Sequence, residues 1–236
     1  MSLGTAWDGF GEVTKDDAFQ TLNSESWLGE WMETQAVRDR YVVGTKYTAD
    51  YRILRLSLRD SLKKLRTDYI DILYLHWWDY SASIEEFVDS LHLVVQQGNA
   101  LYLASPTRRG GVSPRPIRTP RQAQGKTQFV IYQGARSTTQ RDLERDVVPM
   151  AEHFGMAIAP YGAVGSGRYK TGVHIAAKAA ESGGSSVFRH SMGQTELEAK
   201  MSVVLDKIAG EVGVKSLTAV AIAYVLVKAL MYFLLY

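Results

Sequence analysis

The sequence has no cysteine, which excludes disulfide bonds, thiolate metal ligands and cysteine nucleophiles. Neither sign of charge is in excess, because 27 basic residues against 25 acidic ones leave a net charge of +2. That balance gives no reason to expect nucleic acid or an acidic membrane as a general partner. The first ten residues hold neither a basic region nor an apolar run, so we expect no secretory signal and a cytoplasmic protein.

Proline is scarce as well, and four of the six prolines fall in one irregular stretch, Ser105–Gly125. These prolines exclude a helix there. Five arginines and no acidic residue accompany them, which leaves two interpretations open. The stretch is either an insert that replaces a helix, or a basic arm over Arg108–Arg121 that binds anions or nucleic acid. We favour the insert, because no aromatic residue is interleaved for base stacking.

What the sequence has is a regular alternation of strand and helix patterns. The 236 residues, 46% of them hydrophobic, suffice for one large core, and we expect a single domain over residues 1–236. Strands are predicted at Tyr41–Tyr47, Ile70–Leu75, Ala100–Ala104, Gln128–Tyr132 and Met156–Pro160. Helices are predicted from Thr14, from Asn23 or Ser24, and over Leu54–Leu65, Ser83–Gly98, Thr139–Phe154, Gln194–Val212 and Leu217–Lys228. This rhythm predicts a parallel sheet and favours a (β/α)8 barrel over an open sheet.

The C-terminal run from Ser216 to Tyr236 is almost entirely apolar, with Lys228 near its centre. Its ~20 residues are enough to cross a bilayer, but a lysine at that depth is costly in lipid. We therefore predict a buried barrel helix followed by a last strand, Tyr232–Tyr236. A membrane tail is the alternative.

Polar groups capable of chemistry follow several predicted strands. Lys46 comes near the end of the first, and His76 follows the continuously apolar strand Ile70–Leu75. Gln133 and Tyr161 follow the strands further along the chain. Reactive groups of α/β barrels stand at the carboxyl ends of the strands, so we expect these four side chains to meet at one mouth.

A glycine-rich loop follows the last of these strands. It places Gly162, Gly165 and Gly167 beside Arg168 and Lys170. Backbone amides left free by glycines, next to cations, suit a pyrophosphate. Ordinary turn glycines explain the same pattern, so the loop by itself is a weak signal.

Several segments together resemble the aldo-keto reductases, and most closely the fungal aryl-alcohol dehydrogenase and norsolorinic acid reductase branch. They are GTKYTADY, LRLSLRDSLKKLRTDYIDILYLHWWDY, SIEEFVDSLHLVVQQG, ERDVVPMAEHFGMAIAP and QTELEAK. The LHWWDY block is specific for that branch. The resemblance implies a (β/α)8 barrel that binds NADP and interconverts aromatic aldehydes or polyketide ketones with their alcohols, in fungal secondary metabolism.

The resemblance also implies roles for individual residues. Lys46 and His76 match the catalytic lysine and histidine of the family. Gln133 matches the glutamine that holds the nicotinamide amide, and Tyr161 matches the aromatic ring on which the nicotinamide stacks. Gly165 and Gly167 fall in the pyrophosphate loop, with Arg168 beside them. No metal is implied.

The sequence departs from the family in three places. The segment that carries the proton-donating tyrosine and the lysine's aspartate is missing, because Gln20-Thr21-Leu22 runs directly into Asn23. The fifth helix, with the polar pair before it that helps hold the nicotinamide amide, gives way to the Arg/Pro-rich stretch. The chain also stops at about the eighth strand. We therefore expect an incomplete barrel with impaired activity, or alternatively a non-catalytic cofactor-binding or regulatory barrel, or a degenerate remnant.

Overall fold

The computed structural model describes residues 24–47, 54–75, 83–105, 125–171 and 194–227. The strands in these ranges are β1 (Gly44–Tyr47), β2 (Ile70–Leu75), β3 (Ala100–Ser105), β4 (Phe129–Ala135) and β5 (Ala157–Tyr161). The helices are α1 (Ser24–Gln35), α2 (Leu54–Leu65), α3 (Ile84–Gln96), α4 (Val147–His153), α5 (Glu196–Glu211) and α6 (Leu217–Val227). The predictions for Thr14, His76, Arg108–Arg121 and Tyr232–Tyr236 lie outside the described residues.

The five strands form one sheet in which spatial order follows chain order, β1-β2-β3-β4-β5. The pairings of β1 with β2, β2 with β3 and β3 with β4 are parallel. Parallel neighbours joined by helices are the βα units of a barrel wall. The prediction of an α/β barrel, present here in part, is confirmed.

The strand β2 is apolar because most of its side chains are enclosed. Ile70, Leu73 and Leu75 are each no more than 2% exposed, as expected for a strand covered on both faces. The strand β1 begins at Gly44, three residues later than its pattern predicted, although the Val43 carbonyl oxygen already accepts the N–H groups of Asp71 and Ile72.

The leucines at positions 54, 58, 62 and 65 recur at helical spacing and predict α2, which the structure confirms. Leu54, Leu58 and Leu65 are buried, and the arginines and lysines of the same helix lie on the exposed side. The helix α1 packs against α2 at Gly29, where an added Cβ would lie 2.3 Å from the carbonyl oxygen of Lys64. Only glycine permits such a close approach.

The sequence pattern of α1 places Trp27, Leu28 and Trp31 on one apolar face, but the structure does not bury that face. Trp27 and Trp31 are 55% and 43% exposed, and the buried residues of this helix are Gly29 and Met32. The apolar pattern therefore predicted the helix but not the side that it buries. The close contact at Gly29 determines that side, because a large residue cannot enter it.

The predicted helix Thr139–Phe154 is wrong in its first half. A 3-10 turn, Asp142–Glu144, comes first, and α4 begins only at Val147. Pro149 is the physical reason, since a proline inside a helix clashes with the carbonyl four residues earlier but is tolerated in the first turn. By starting at Val147, the helix keeps the proline in that turn.

The predicted start of α3 at its Ser83 cap and its stop at Gly98 are confirmed, whereas the cap of α5 was not predicted. Ser83 caps α3 and forms a reciprocal capping box with Glu86, and Thr195 does the same for α5 with Glu198. Gly98 ends the α3 segment with a φ of 74°, a conformation that favours glycine.

The chain forms two compact units. Among the described residues, one contains 135–152, 159–171 and 194–227, and the other contains 24–47, 54–75, 83–105, 125–134 and 153–158. In the first unit, Tyr169 packs with Leu205, Leu217 and Ala221 in a buried cluster. The expectation of a single domain stays a prediction.

None of the described helices is long and apolar enough to cross a membrane.

Candidate cofactor site

A tight glycine turn follows β5. Gly162, Gly165 and Gly167 have φ values of 73°, 61° and 79°, and the 3-10 turn Gly165–Gly167 is built on these left-handed conformations. Ser166, between the last two, also has a positive φ of 55°. A non-glycine residue rarely adopts this conformation, so the turn is locally strained.

This turn forms one wall of a cleft of about 180 Å³. The second wall is the segment from Ser137 to Gln140, and the third is the start of α5. The lining residues are Ser137, Thr139, Gln140, Gly162, Gly165, Ser166, Arg168, Thr195, Leu197 and Glu198. All of them belong to one compact unit. We call this space the glycine-turn cleft.

An ion pair closes one side of the glycine-turn cleft. Arg168 Nε donates to Glu198 Oε1 at 2.7 Å, and Glu198 is only 6% exposed. Desolvation by itself would raise the pKa of Glu198. Hydrogen bonds from the Thr195 backbone and from Arg168 outweigh it and lower that pKa. The carboxylate is therefore ionised and holds the Arg168 guanidinium beside the cleft.

The segment after the turn is fixed to α5 by further hydrogen bonds. Gln194 Nε2 donates to the carbonyl oxygens of Arg168 and Lys170 at 2.5 and 2.9 Å. Ser202 Oγ accepts the Lys170 backbone N–H at 3.1 Å. These contacts hold the backbone around Arg168 in place without any ligand.

The turn does not leave its amides free as expected from its glycines. The N–H groups of Gly165, Gly167 and Arg168 donate to carbonyl oxygens inside the turn. The donors at the glycine-turn cleft are instead hydroxyls, a side-chain amide and a guanidinium. This donor set fits a phosphate oxygen, which accepts hydrogen bonds and favours a nearby arginine.

Tyr161 and Gln133 lie where their strands approach the carboxyl edge of the sheet. Tyr161 is the last residue of β5, and its carbonyl oxygen accepts the Arg136 N–H at 3.1 Å. Gln133 lies inside β4, not after it, and is 4% exposed. The strand prediction ended one residue too early to enclose Gln133.

Ser105, at the end of β3, was not singled out as a site residue. It is 1% exposed, and its hydroxyl has no hydrogen-bond partner among the described residues. A buried hydroxyl without a partner costs free energy unless a ligand or water satisfies it. The signal in the sequence that could have identified Ser105 is its place at the end of a predicted strand, where site residues of α/β barrels stand.

Lys46 lies on β1, directly opposite Tyr74 of β2 in the parallel pairing. The Lys46 side chain is exposed, yet desolvation by the surrounding protein lowers its pKa. Burial raises the pKa of Tyr74. A proton-donating tyrosine beside a lysine needs a lowered pKa, so the raised pKa of Tyr74 is opposite to what that role requires. Tyr74 is therefore not equipped to replace the missing tyrosine.

A buried ionic cluster lies next to the glycine-turn cleft and was missed by sequence reasoning. Arg136 is fully buried, and its Nη2 donates to Glu144 Oε1 at 3.2 Å. Arg141 donates to the other carboxylate oxygen at 2.7 Å. Tyr224 Oη donates to Oε1 at 2.9 Å. Because Tyr224 is far away in sequence, no local pattern could have predicted this cluster.

The carboxylate at the centre of this cluster is strongly acidic. Desolvation raises the pKa of Glu144, but hydrogen bonds from Arg141, Tyr224 and Arg136 outweigh it and hold that pKa at about 2. Glu144 therefore fixes both ends of the segment from Arg136 to Arg141, whose middle lines the glycine-turn cleft. In the described part of the chain, no group of three or more His, Asp or Glu side chains is placed to hold a metal ion.

The parallel sheet, its covering helices and a cleft beyond a strand end define an α/β barrel protein. The aldo/keto reductase family model matches residues 16–235, and the chain belongs to this family. One solved relative, an aldo/keto reductase from Klebsiella pneumoniae in complex with NADP and acetate, superimposes with a TM-score of 0.63. It is 18% identical and covers 90% of this chain and 64% of its own, so it supports the fold alone.

Curated relatives support the branch suggested by the sequence. A Saccharomyces cerevisiae protein named as an aryl-alcohol dehydrogenase is 43% identical over 97% of this chain and 71% of its own length. The NADP(+) aryl-alcohol dehydrogenase of Phanerodontia chrysosporium is 38% identical over 97% and 70%. Norsolorinic acid reductase B of Dothistroma septosporum is 39% identical over 90% and 57%. These names identify the enzyme class of the relatives as oxidoreductases.

The chain spans only about 57 to 71% of the lengths of these relatives. The alignment with the Saccharomyces cerevisiae protein extends over 273 residues, which is longer than the whole chain of 236. That relative therefore carries internal residues with no counterpart here, which agrees with the internal gap inferred from the sequence.

Proposed function

We propose that this chain is an NADP-dependent oxidoreductase of the aryl-alcohol dehydrogenase type, with impaired catalysis in its present form. Its substrates would be aromatic aldehydes or polyketide ketones and the corresponding alcohols, in fungal secondary metabolism and in the cytoplasm. The glycine-turn cleft would hold the pyrophosphate of the cofactor. By the family resemblance, Gln133 would hold the nicotinamide amide, and Tyr161 would be the ring on which the nicotinamide stacks.

The observation that carries the proposal is the arrangement of Arg168 in the glycine-turn cleft. Its guanidinium is held by ionised Glu198, its carbonyl oxygen by Gln194, and its neighbours in the cleft are hydroxyl groups. A site that is ordered before the ligand arrives pays less entropy on binding. The charge of Glu198 opposes an anion, so we expect Arg168 to supply most of the attraction.

Two residues carry the proposed chemistry. When bound, NADPH supplies a hydride to the carbonyl carbon. His76 would orient the carbonyl oxygen and Lys46 would place positive charge beside it, so that water, acting as the proton donor, could slowly complete the alcohol. No tyrosine is proposed for that donor, since its family position is missing from the sequence and burial raises the pKa of Tyr74.

Equilibrium binding tests the cofactor proposal. Arg168→Leu should weaken NADPH binding at least tenfold, measured by NADPH fluorescence, because it removes the cation from the cleft. Lys207→Leu on the exposed side of α5 is the matched control and should bind like the wild type. Equal affinity of the Arg168 variant and the wild type would refute the site.

Turnover separates the two open functions. NADPH oxidation with veratraldehyde-type substrates should be slow and should fall further in Lys46→Met. A rate typical of enzymes, on the order of 10 per second, would refute the inference of impaired catalysis. Binding of NADPH without measurable turnover would favour the alternative function, a non-catalytic cofactor-binding barrel. The absence of the family's proton-donating tyrosine is consistent with that alternative.

A further inference from the structure

Two walls of the glycine-turn cleft are joined behind the lining surface by a single side chain, Tyr169. This residue lies just after the turn and is 5% exposed. Its hydroxyl accepts a hydrogen bond from Thr138 Oγ1 at 3.0 Å and shares another with Thr139 Oγ1 at 2.8 Å. Tyr169 itself does not line the cleft.

The ring of Tyr169 is fixed from the other side. It packs in the buried cluster with Leu205, Leu217 and Ala221. It also lies against Gly165, where an added Cβ would come within 2.9 Å of the ring. The ring therefore cannot shift without disturbing either the core or the turn, and its hydroxyl presents a fixed anchor to the opposite wall.

The opposite wall depends on such an anchor because it is a short irregular segment. Ser137 N–H donates to the Gln140 carbonyl oxygen at 2.9 Å, and Ser137 Oγ accepts the N–H groups of Thr139 and Gln140. These bonds lie within the segment itself. Together with Glu144 at its two ends, the Tyr169 hydroxyl is what fixes the middle of the segment against the glycine turn.

We propose that Tyr169 is a positioning residue that sets the spacing between the Ser137–Gln140 wall and the Gly165–Gly167 turn, and thereby adjusts the glycine-turn cleft to a pyrophosphate. This inference rests on the proposed function for the ligand. The mechanical part, that the hydroxyl orders the wall, does not depend on any ligand. The sequence offers no hint of it, since its pattern predicts a helix from Thr139 and not an irregular wall.

The test is Tyr169→Phe, which removes the hydroxyl and keeps the ring in the core. Amide hydrogen exchange of Ser137, Thr139 and Gln140 should accelerate about tenfold in the free protein, the expected effect of two lost hydrogen bonds. Binding of NADPH and of inorganic pyrophosphate should weaken by about the same factor. Tyr102→Phe, at an exposed tyrosine of β3, is the control and should change neither quantity.

A second variant shows that the effect passes through the hydroxyl. Thr138→Val removes one partner of Tyr169 without touching the cleft lining. It should accelerate exchange in the wild-type background and have no further effect in Tyr169→Phe. Unchanged exchange in Tyr169→Phe would overturn the inference. Accelerated exchange in a chain whose wild type binds no NADPH would instead overturn the proposed function and leave the mechanical role of Tyr169 standing.

Discussion

The carboxylate of Glu144 should be among the most stabilising side chains of its compact unit. The informative change is Glu144→Gln, which keeps the size of the side chain but removes its charge. It leaves the fully buried guanidinium of Arg136 without its anionic partner. Removing one member of a buried pair costs about 3–5 kcal/mol. Glu144 is 17% exposed and glutamine keeps one acceptor, so we expect about 2–3 kcal/mol.

The pH dependence gives the same prediction a second readout. The pKa of Glu144 is about 2 in the folded chain against an ordinary value of 4.5. A lowered pKa stabilises the fold above pH 4.5, and this contribution disappears as the pH falls from 4.5 to 2. The shift corresponds to about 3 kcal/mol at most, and solvent contact reduces this to about 1–2 kcal/mol. The free energy of unfolding of Glu144→Gln should therefore not show this decrease between pH 4.5 and pH 2.

Urea unfolding followed by circular dichroism at pH 7 and at pH 3 measures both effects. Arg136, Arg141, Glu144 and Tyr224 belong to one compact unit, so the transition of that unit should move. Glu196→Gln is the control, because Glu196 is 83% exposed in its pair with a lysine and should contribute less than about 0.5 kcal/mol. A Glu144 variant as stable as the wild type at pH 7 would refute the reasoning.

Three further changes test the fold and the turn. Gly29→Ala should cost about 2–3 kcal/mol in urea unfolding, because its Cβ would meet a backbone carbonyl at 2.3 Å; Gly210→Ala, with open space around it, should be neutral or slightly stabilising. Gly165→Ala should abolish NADPH binding measured by fluorescence, because it combines a φ of 61° with a 2.9 Å contact to a tyrosine ring. Arg38→Met should lower the free energy of unfolding by about 2 kcal/mol, since it breaks a 2.9 Å ion pair with Asp71 in which both side chains are only 16% exposed.

The sequence predicted the elements whose causes are local. The leucine spacing of α2, the Ser83 cap of α3 and the apolar strand β2 each depend on neighbouring residues, so a pattern suffices to find them. The early start of the predicted helix at Thr139 ignored Pro149, a local signal that was available. The buried side of α1 depends instead on a backbone contact with α2, which no periodicity reveals.

The residues of the candidate site also divide into those that a local sequence pattern predicts and those that depend on contacts between distant residues. The glycine turn and Arg168 are recognisable in the sequence because a turn is a local structure. The ion pair of Arg168 with Glu198 joins residues thirty positions apart, and the bond from Tyr224 to Glu144 spans eighty. Such pairs are determined by the packing of α5 and α6, so only the folded chain could reveal them. The placement of His76 stays a prediction.

Amide hydrogen exchange of the wild-type chain with and without NADPH is the most direct test of the central claim, that the glycine-turn cleft holds the cofactor. Saturating NADPH should slow exchange in two segments, Ser137–Gln140 and Gly162–Lys170, because their hydrogen bonds become shielded and ordered. Inorganic pyrophosphate should protect the same two segments more weakly. No binding, or binding that leaves both segments unprotected, would contradict the account.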